Sequence, residues 1–228
     1  MIGKFVIFGD SYSTHKDYIP KGYAAYYSDE ISEEDIALGR TVKKMTADKT
    51  WWWRLSKITD ATLVFNDSWS GSTVCFTGRE GDCSKTSSFI ARYRKMYEGG
   101  FFDKNEVDTI FVFGLTNDNW IDAPLGEEKY EHIEESDLYS VLPAICYFMS
   151  TLRKNHPEKQ IVFIKNTNFK PEIKACLENA SKRFDVELIH LENIDKDYGH
   201  PTVLGMEQIA EQIKTALSVG VGTVCDSK

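Results

Sequence analysis

Phe5-Val6-Ile7-Phe8-Gly9-Asp10-Ser11 is the stretch that decides the fold, because it joins an apolar strand to a polar turn. A short, continuous apolar run is typical of a strand that is covered on both faces, as in a parallel sheet. Glycine at position 9 permits a sharp turn, and α/β proteins place their active sites at the carboxyl ends of such strands. Ser11 is therefore a candidate nucleophile, although the same kind of turn is common in ordinary loops.

Four further apolar runs follow along the chain, and helical segments separate them. The runs cover residues 63–65, 110–113, 161–164 and 186–189. Apolar residues recur at helical spacing from Leu138 to Leu152, and again from Met206 to Leu217. This alternation predicts a doubly wound α/β fold, a three-layer α/β/α sandwich around a five-stranded parallel sheet.

The 228 residues fit a single domain, and two segments depart from the alternation. Residues 12–49 contain aromatic, glycine and acidic residues with weak periodicity, and connections of this length are usually functional or carry structure of their own. We expect this segment to be an insertion that lies over the carboxyl edge of the sheet, near Ser11. A short C-terminal tail is expected from about Val219 onward.

Composition excludes several classes of function. A net charge of −8 argues against a nucleic-acid or anionic-membrane surface, since both need clustered lysine and arginine. No apolar run approaches the roughly 18 residues of a membrane span, and the first residues lack the pattern of a signal peptide. We therefore expect a cytoplasmic protein by default, with export left open if a leader was removed. The oligomeric state stays open.

The five cysteines show no metal-type pairing, so neither a metal nor another cofactor is expected. Cys75 and Cys83 could close a small loop in an oxidising compartment. Reduced thiols are the expected state.

Residues 197–201, Asp-Tyr-Gly-His-Pro, precede the last amphipathic helix and offer a base for Ser11. The three-residue spacing would let Asp197 hold one imidazole nitrogen of His200 while the other faces the serine. In such a set the base takes the serine proton, and the acid fixes the tautomer and stabilises the imidazolium. A surface histidine near a helix start is the alternative interpretation.

Two other polar segments follow predicted strands and could stabilise an oxyanion. Residues 114–118, Gly-Leu-Thr-Asn-Asp, come directly after the apolar run 110–113, and the Asn117 amide could donate a hydrogen bond to a developing negative charge. Residues 66–73 come after the apolar run 63–65, and Gly71 in this segment would let a backbone N–H approach the same oxygen. Both segments also have the composition of ordinary turns.

Together these segments resemble the SGNH (GDSL) hydrolase family, and the resemblance covers the chain from beginning to end. The family blocks look like residues 8–13, 70–72, 116–118 and 197–201, in family order. The resemblance implies a flavodoxin-like fold, and it implies roles for named residues: Ser11, Asp197 and His200 as catalytic residues, with Ser11, Gly71 and Asn117 as the oxyanion hole. Leu115 departs from the pattern, because the third block usually has glycine there; a positive φ at this position would strain leucine.

Aromatic residues near the predicted carboxyl edge bear on the substrate. Tyr12, Trp69 and Trp120 are candidate substrate-binding residues, because flat aromatic faces suit sugar rings, although they could equally pack the insertion onto the domain. We expect a serine esterase that removes a short acyl group through an acyl-enzyme intermediate. Its substrate would be a small-molecule or glycan ester, such as an acetylated carbohydrate. A catalytically weak glycan-binding module is the alternative, and a phosphate binder is disfavoured because no glycine-rich phosphate motif is found.

Overall fold

The computed structural model describes residues 1–39 and 41–219. In its first half the elements are β1 (Lys4–Gly9), β2 (Tyr27–Ser28), α1 (Glu33–Ala37), β3 (Lys43–Lys44), α2 (Trp51–Thr59), β4 (Thr62–Ser68), β5 (Thr77–Gly78), β6 (Gly81–Asp82), α3 (Phe89–Glu98) and α4 (Phe101–Lys104). The second half contains β7 (Thr109–Phe113), α5 (Thr116–Trp120), α6 (Val141–Asn155), β8 (Gln160–Lys165), α7 (Pro171–Phe184), β9 (Glu187–His190), β10 (Lys196–Asp197), β11 (His200–Pro201) and α8 (Val203–Val219). Short 3₁₀ turns occupy Lys16–Tyr18, Ala47–Lys49 and Glu135–Tyr139.

The central sheet has five strands in the order β4-β1-β7-β8-β9. Every pair of neighbours in it is parallel. Alternate residues of β1 point to opposite faces, as the pleat requires. Val6 and Phe8 pack against α3, α6 and α7, while Phe5 and Ile7 pack against α2 and α8. The expected three-layer sandwich around a five-stranded parallel sheet is confirmed.

Three loops meet at the carboxyl edge of this sheet because the strands before them are hydrogen-bonded neighbours. The backbone N–H of Asp10 donates to the Phe113 carbonyl at 3.2 Å, and that of Trp69 donates to the Gly9 carbonyl at 3.0 Å. The approach is so close that a Cβ on Gly9 would lie 2.3 Å from the Ser68 hydroxyl oxygen. Glycine is therefore required at position 9, and the segments that follow β1, β4 and β7 lie side by side.

Residues 12–49 carry structure of their own, with α1, two of the three 3₁₀ turns and a parallel pairing of β2 with β3. Two indole N–H groups of α2 tie the start of this segment down: Trp51 donates to the Ser13 hydroxyl at 3.1 Å and Trp52 to the Ser13 carbonyl at 2.9 Å. Both rings are buried, whereas Trp53 is half-buried. The insertion is thereby anchored two residues after Ser11.

Three further expectations concern the chain as a whole. The C-terminal tail expected from about Val219 lies outside the described residues, apart from its first position. Within the described ranges, no helix combines the length and the apolar character that crossing a membrane would need. Cys75 and Cys83 are both buried free thiols.

Candidate active site

Ser11 lies in the turn after β1, and Asp10 shapes this turn. The Asp10 carboxylate accepts the Tyr12 N–H at 3.0 Å, and its carbonyl accepts the Ser13 N–H at 3.0 Å. Burial raises the pKa of Asp10 to about 7. The Ser11 side chain points to the carboxyl edge, where its Oγ lies 2.9 Å from Nε2 of His200. Ser11 and His200 are 189 positions apart in the sequence, and the fold brings them into hydrogen-bonding contact.

His200 is held in the tautomer that can accept the serine proton. Its Nδ1 lies 3.3 Å from the Tyr198 carbonyl oxygen. A carbonyl oxygen only accepts, so Nδ1 carries the hydrogen and the Nε2 lone pair faces Ser11. Burial, the largest cause, and the positive charges of Arg79, Lys196 and Lys43 together lower the pKa of His200 to about 4, although the hydrogen bond with the Tyr198 carbonyl acts to raise it. The imidazole is therefore neutral at pH 7, as a general base must be.

Asp197 stands opposite His200 in the β10–β11 hairpin, but the expected hydrogen bond between them is not formed in this structure. The Asp197 carboxylate instead binds the Lys43 ammonium of β3. The hairpin turns through Tyr198 and Gly199, both at positive φ, as a tight two-residue turn requires. Because the turn is tight, Nδ1 of the imidazole lies against the Tyr198 carbonyl. The Asp197 carboxylate is bound by Lys43, a cation of the insertion.

The oxyanion candidates lie on the other side of Ser11. Neither the Gly71 N–H nor the Ser11 N–H donates to a partner in the part of the chain that the structure describes. Asn117 donates through Nδ2 to the Ser72 carbonyl at 3.0 Å. Its Oδ1 accepts from Nη2 of Arg79 at 3.1 Å. Because a guanidinium only donates and a carbonyl only accepts, these two contacts fix the orientation of the amide, with Nδ2 toward the Gly71 loop.

Asp118 joins two of the predicted blocks to each other. It is fully buried, and its carboxylate accepts the backbone N–H groups of Val74 and Cys75, each at 3.0 Å. Burial raises the pKa of this carboxyl above its usual range. The contact fixes the loop that carries Gly71 against the helix that carries Asn117.

Arg92 is a structural residue of the site that sequence reasoning missed. It is 2% exposed on α3 and donates to the Gly9 carbonyl at 3.1 Å, to the Ser72 hydroxyl at 3.3 Å and to the Asp67 carboxylate at 2.9 Å. The guanidinium thus connects the nucleophile turn to the Gly71 loop. A lone arginine on the apolar face of an amphipathic helix was the available signal. A buried cation needs partners of this kind.

Leu115 adopts the conformation that glycine would occupy without strain. Its φ is 70° and its side chain is fully buried in the apolar cluster. The left-handed conformation costs leucine roughly 1–2 kcal/mol, and burying its side chain contributes about 1.5–3 kcal/mol in return. The strain expected from the departure at this position is present, and Asn117 still faces the Gly71 loop.

The three aromatic candidates lie in different environments. Tyr12 is 1% exposed; its hydroxyl donates to the Gly199 carbonyl, and its ring packs against Phe113. Its placement therefore does not support the expected contact with substrate, because the ring lies beneath the histidine hairpin. Trp120 is 44% exposed with its ring centroid 5.5 Å from that of His200, and Trp69 packs at 4.2 Å against Tyr23. These two rings remain available to a ligand.

The comparisons with known proteins show which family the chain belongs to. Residues 3–217 match the family model described as GDSL-like Lipase/Acylhydrolase. The chain belongs to the GDSL-like lipase/acylhydrolase family. A protein from Bacteroides ovatus described as a GDSL-like lipase is 34% identical, with a TM-score of 0.82 over 96% of this chain and 99% of that chain. A second, from Bacteroides uniformis, is also 34% identical, with a TM-score of 0.82 over 95% of this chain and 96% of that chain. The protein is thus an ester-hydrolysing serine hydrolase.

More distant structures share the fold alone. A family two carbohydrate esterase from Clostridium thermocellum, in complex with cellohexaose, is 12% identical with a TM-score of 0.62 over 96% of this chain and 65% of that chain. No curated protein matched the chain.

Proposed function

We propose that this hydrolase is a serine esterase that removes a short acyl group, with Ser11 as nucleophile and an acyl-enzyme as intermediate. The observation that carries the proposal is the 2.9 Å contact between Ser11 Oγ and Nε2 of a neutral His200. Such a contact lets the imidazole take the hydroxyl proton as the oxygen attacks the ester carbonyl.

The proposed reaction has two halves. Ser11 attacks, His200 takes its proton, and the N–H groups of Ser11, Gly71 and Asn117 receive the negative charge of the tetrahedral intermediate. His200 then donates the proton to the departing alkoxide, which leaves the acyl group on Ser11. Water, deprotonated by the same imidazole, hydrolyses this ester. The Tyr198 carbonyl holds the tautomer throughout, so the proposed machinery is a dyad, and Asp197 as its third member is the alternative to be tested.

A short acyl group and a carbohydrate alcohol fit the surroundings of Ser11. Ser11 is only 2% exposed, which favours a small acyl group such as acetyl. Trp120, beside His200, presents an exposed aromatic face of the kind that packs on sugar rings. The carbohydrate esterase named above shares only the fold, but its complex with cellohexaose suggests acetylated cello-oligosaccharides for the first trials.

Ser11→Ala is the decisive variant, with Ser56→Ala on the distant face of α2 as its matched control. Hydrolysis of p-nitrophenyl acetate should fall at least about 1,000-fold in the first variant and stay unchanged in the second. A fluorophosphonate probe should label the wild type stoichiometrically and Ser11→Ala not at all. Hydrolysis that survives Ser11→Ala would refute the proposal. Binding of an acetylated oligosaccharide without labelling of Ser11 would support the glycan-binding module instead.

A further inference from the structure

Tyr26 of the insertion lies flat against the imidazole of His200. The two ring centroids are 3.6 Å apart and the planes differ by 9°. Trp120 and Tyr12 approach the same imidazole at 5.5 and 5.6 Å, but at steeper angles. Tyr26 is therefore the aromatic residue whose whole face covers the base.

The backbone of Tyr26 is fixed relative to the nucleophile. Its N–H donates to the Thr14 hydroxyl at 2.9 Å, and that hydroxyl donates to the Ser11 carbonyl at 3.1 Å. The Tyr26 carbonyl accepts the Lys43 N–H at 2.6 Å. The ring is 7% exposed and packs edge-on against Tyr27 at 4.8 Å. These contacts hold the ring in place before any proton moves.

The imidazolium formed during the reaction meets little compensating negative charge. Arg79, Lys196 and Lys43 are the cations that act on His200, and all three disfavour its protonated form. The Asp197 carboxylate binds Lys43, and within the described ranges no carboxylate forms a hydrogen bond with His200. Among the residues that the structure describes, the hydrogen on Nδ1 meets only the neutral Tyr198 carbonyl.

The face of an aromatic ring can supply the negative charge that the imidazolium lacks. The face of a phenol ring carries partial negative charge and attracts a cation within about 6 Å of its centroid, most strongly where water is excluded. We propose that the Tyr26 ring stabilises the His200 imidazolium as it forms, so that the insertion provides by stacking what a triad provides by a carboxylate. Tyr26 is thus a positioning residue that acts through His200. The inference rests on the proposed role of His200 as the base.

A fluorination series at position 26 tests the charge on the ring while keeping its shape. Tyr26 is replaced by Phe, 4-fluoro-Phe, 3,4,5-trifluoro-Phe and pentafluoro-Phe, and kcat and KM are measured with p-nitrophenyl acetate. Phe should stay within about threefold of the wild type, because the face is retained. From Phe to pentafluoro-Phe, kcat should fall at each step, by about tenfold over the whole series, while KM stays unchanged. This is the size expected for a cation–π contact in a site that excludes water. The acid limb of kcat/KM should move to lower pH along the series.

The same series at Tyr18 is the matched control, because Tyr18 lies in the insertion and packs against Trp52, with ring centroids 5.1 Å apart and planes tilted by 50°, without touching His200. A flat or reversed series at position 26 would overturn the inference and leave Tyr26 as packing only. Fluorophosphonate labelling of the wild type separates the two proposals. Absence of labelling refutes the dyad itself, whereas normal labelling with a flat series refutes only the role of Tyr26.

Discussion

The two sides of Ser11 are held by different means. On the oxyanion side, Asn117 is fixed by a charged side chain, because Arg79 donates to its Oδ1 at 3.1 Å. On the base side, His200 is fixed by the Tyr198 carbonyl and by the ring of Tyr26, both of them neutral. In the proposed reaction, the negative charge of the intermediate therefore develops beside a cation, and the positive charge on His200 develops against an aromatic face.

This difference implies a compromise. A cation near the site stabilises an oxyanion through space and disfavours an imidazolium by the same Coulomb interaction. Arg79 acts on both sides of Ser11, since it donates a hydrogen bond to Asn117 and also lowers the pKa of His200. The comparison therefore predicts that the oxyanion side contributes more to the rate than the charges on the base side do.

Asn117→Ala should show the largest effect of the substitutions that test this comparison. Loss of one oxyanion donor costs about 100- to 1,000-fold in kcat, with KM little changed. Steady-state hydrolysis of p-nitrophenyl acetate measures it. Asn119→Ala, in the same helix and with its amide engaged by Lys170 and Asn168, is the matched control. If kcat drops less than about tenfold in Asn117→Ala, the amide is not a donor to the intermediate.

Arg79→Met should have a smaller effect, of about tenfold in kcat. The Asn117 amide loses the partner that fixes its orientation, but it keeps the bond to Ser72. Arg79→Lys should recover part of the loss, because an ammonium can still donate to Oδ1. Removing the cation should also raise the pKa of His200, so the acid limb of kcat/KM should move to higher pH in Arg79→Met only. Lys85→Met, another exposed cation of the same region, should match the wild type. If Arg79→Met also matches it, Arg79 has no part in holding Asn117.

The sheet was predictable from the sequence because it depends on local apolar runs. Each run that predicted a strand lies within or next to a strand of the central sheet, and β4 continues beyond its run through Asn66 and Ser68. These polar residues are buried and satisfied, since the Asn66 side chain donates to the Ser13 carbonyl at 2.8 Å and the Ser68 hydroxyl donates to Oδ1 of Asn66 at 2.5 Å. Alternation of polarity alone gives no sign of such partners.

The partners of the site were less predictable because they come from distant segments. The spacing of Asp197 and His200 in sequence suggested a pair, but Lys43 lies 154 positions away and binds the carboxylate instead. Tyr26 likewise lies in the segment that the sequence predicts to cover the carboxyl edge near Ser11, but its weak periodicity gives no sign of which residue contacts His200. Residue types near a strand end predict which groups meet at the edge. They do not predict which long-range charge or ring completes each contact.

The pH dependence should report the neutral base. His200 has its pKa lowered to about 4 by burial, so the imidazole is unprotonated above that value and the base form is lost as pH falls through it. We expect kcat/KM to be flat from about pH 6 to 8 and to decline tenfold per unit below about pH 4. The measurements are the pH profile of kcat/KM and the pH profile of the rate at which the fluorophosphonate probe labels Ser11. A midpoint near the ordinary histidine value would mean that the imidazole is more exposed to water than the structure shows.

Asp197→Asn should have the smallest effect on the rate. A triad aspartate that binds the histidine costs about 10,000-fold when replaced by asparagine, whereas here the carboxylate binds Lys43. We therefore expect kcat/KM to fall by less than about fivefold, and the thermal stability to change little, because exposed ion pairs contribute about 0–1 kcal/mol. Lys43→Met provides the matched control, since it breaks the same pair from the other side. A loss of 1,000-fold in Asp197→Asn alone would show that the carboxylate leaves Lys43 for Nδ1 during the reaction, and the base side would then be held by charge as the oxyanion side is.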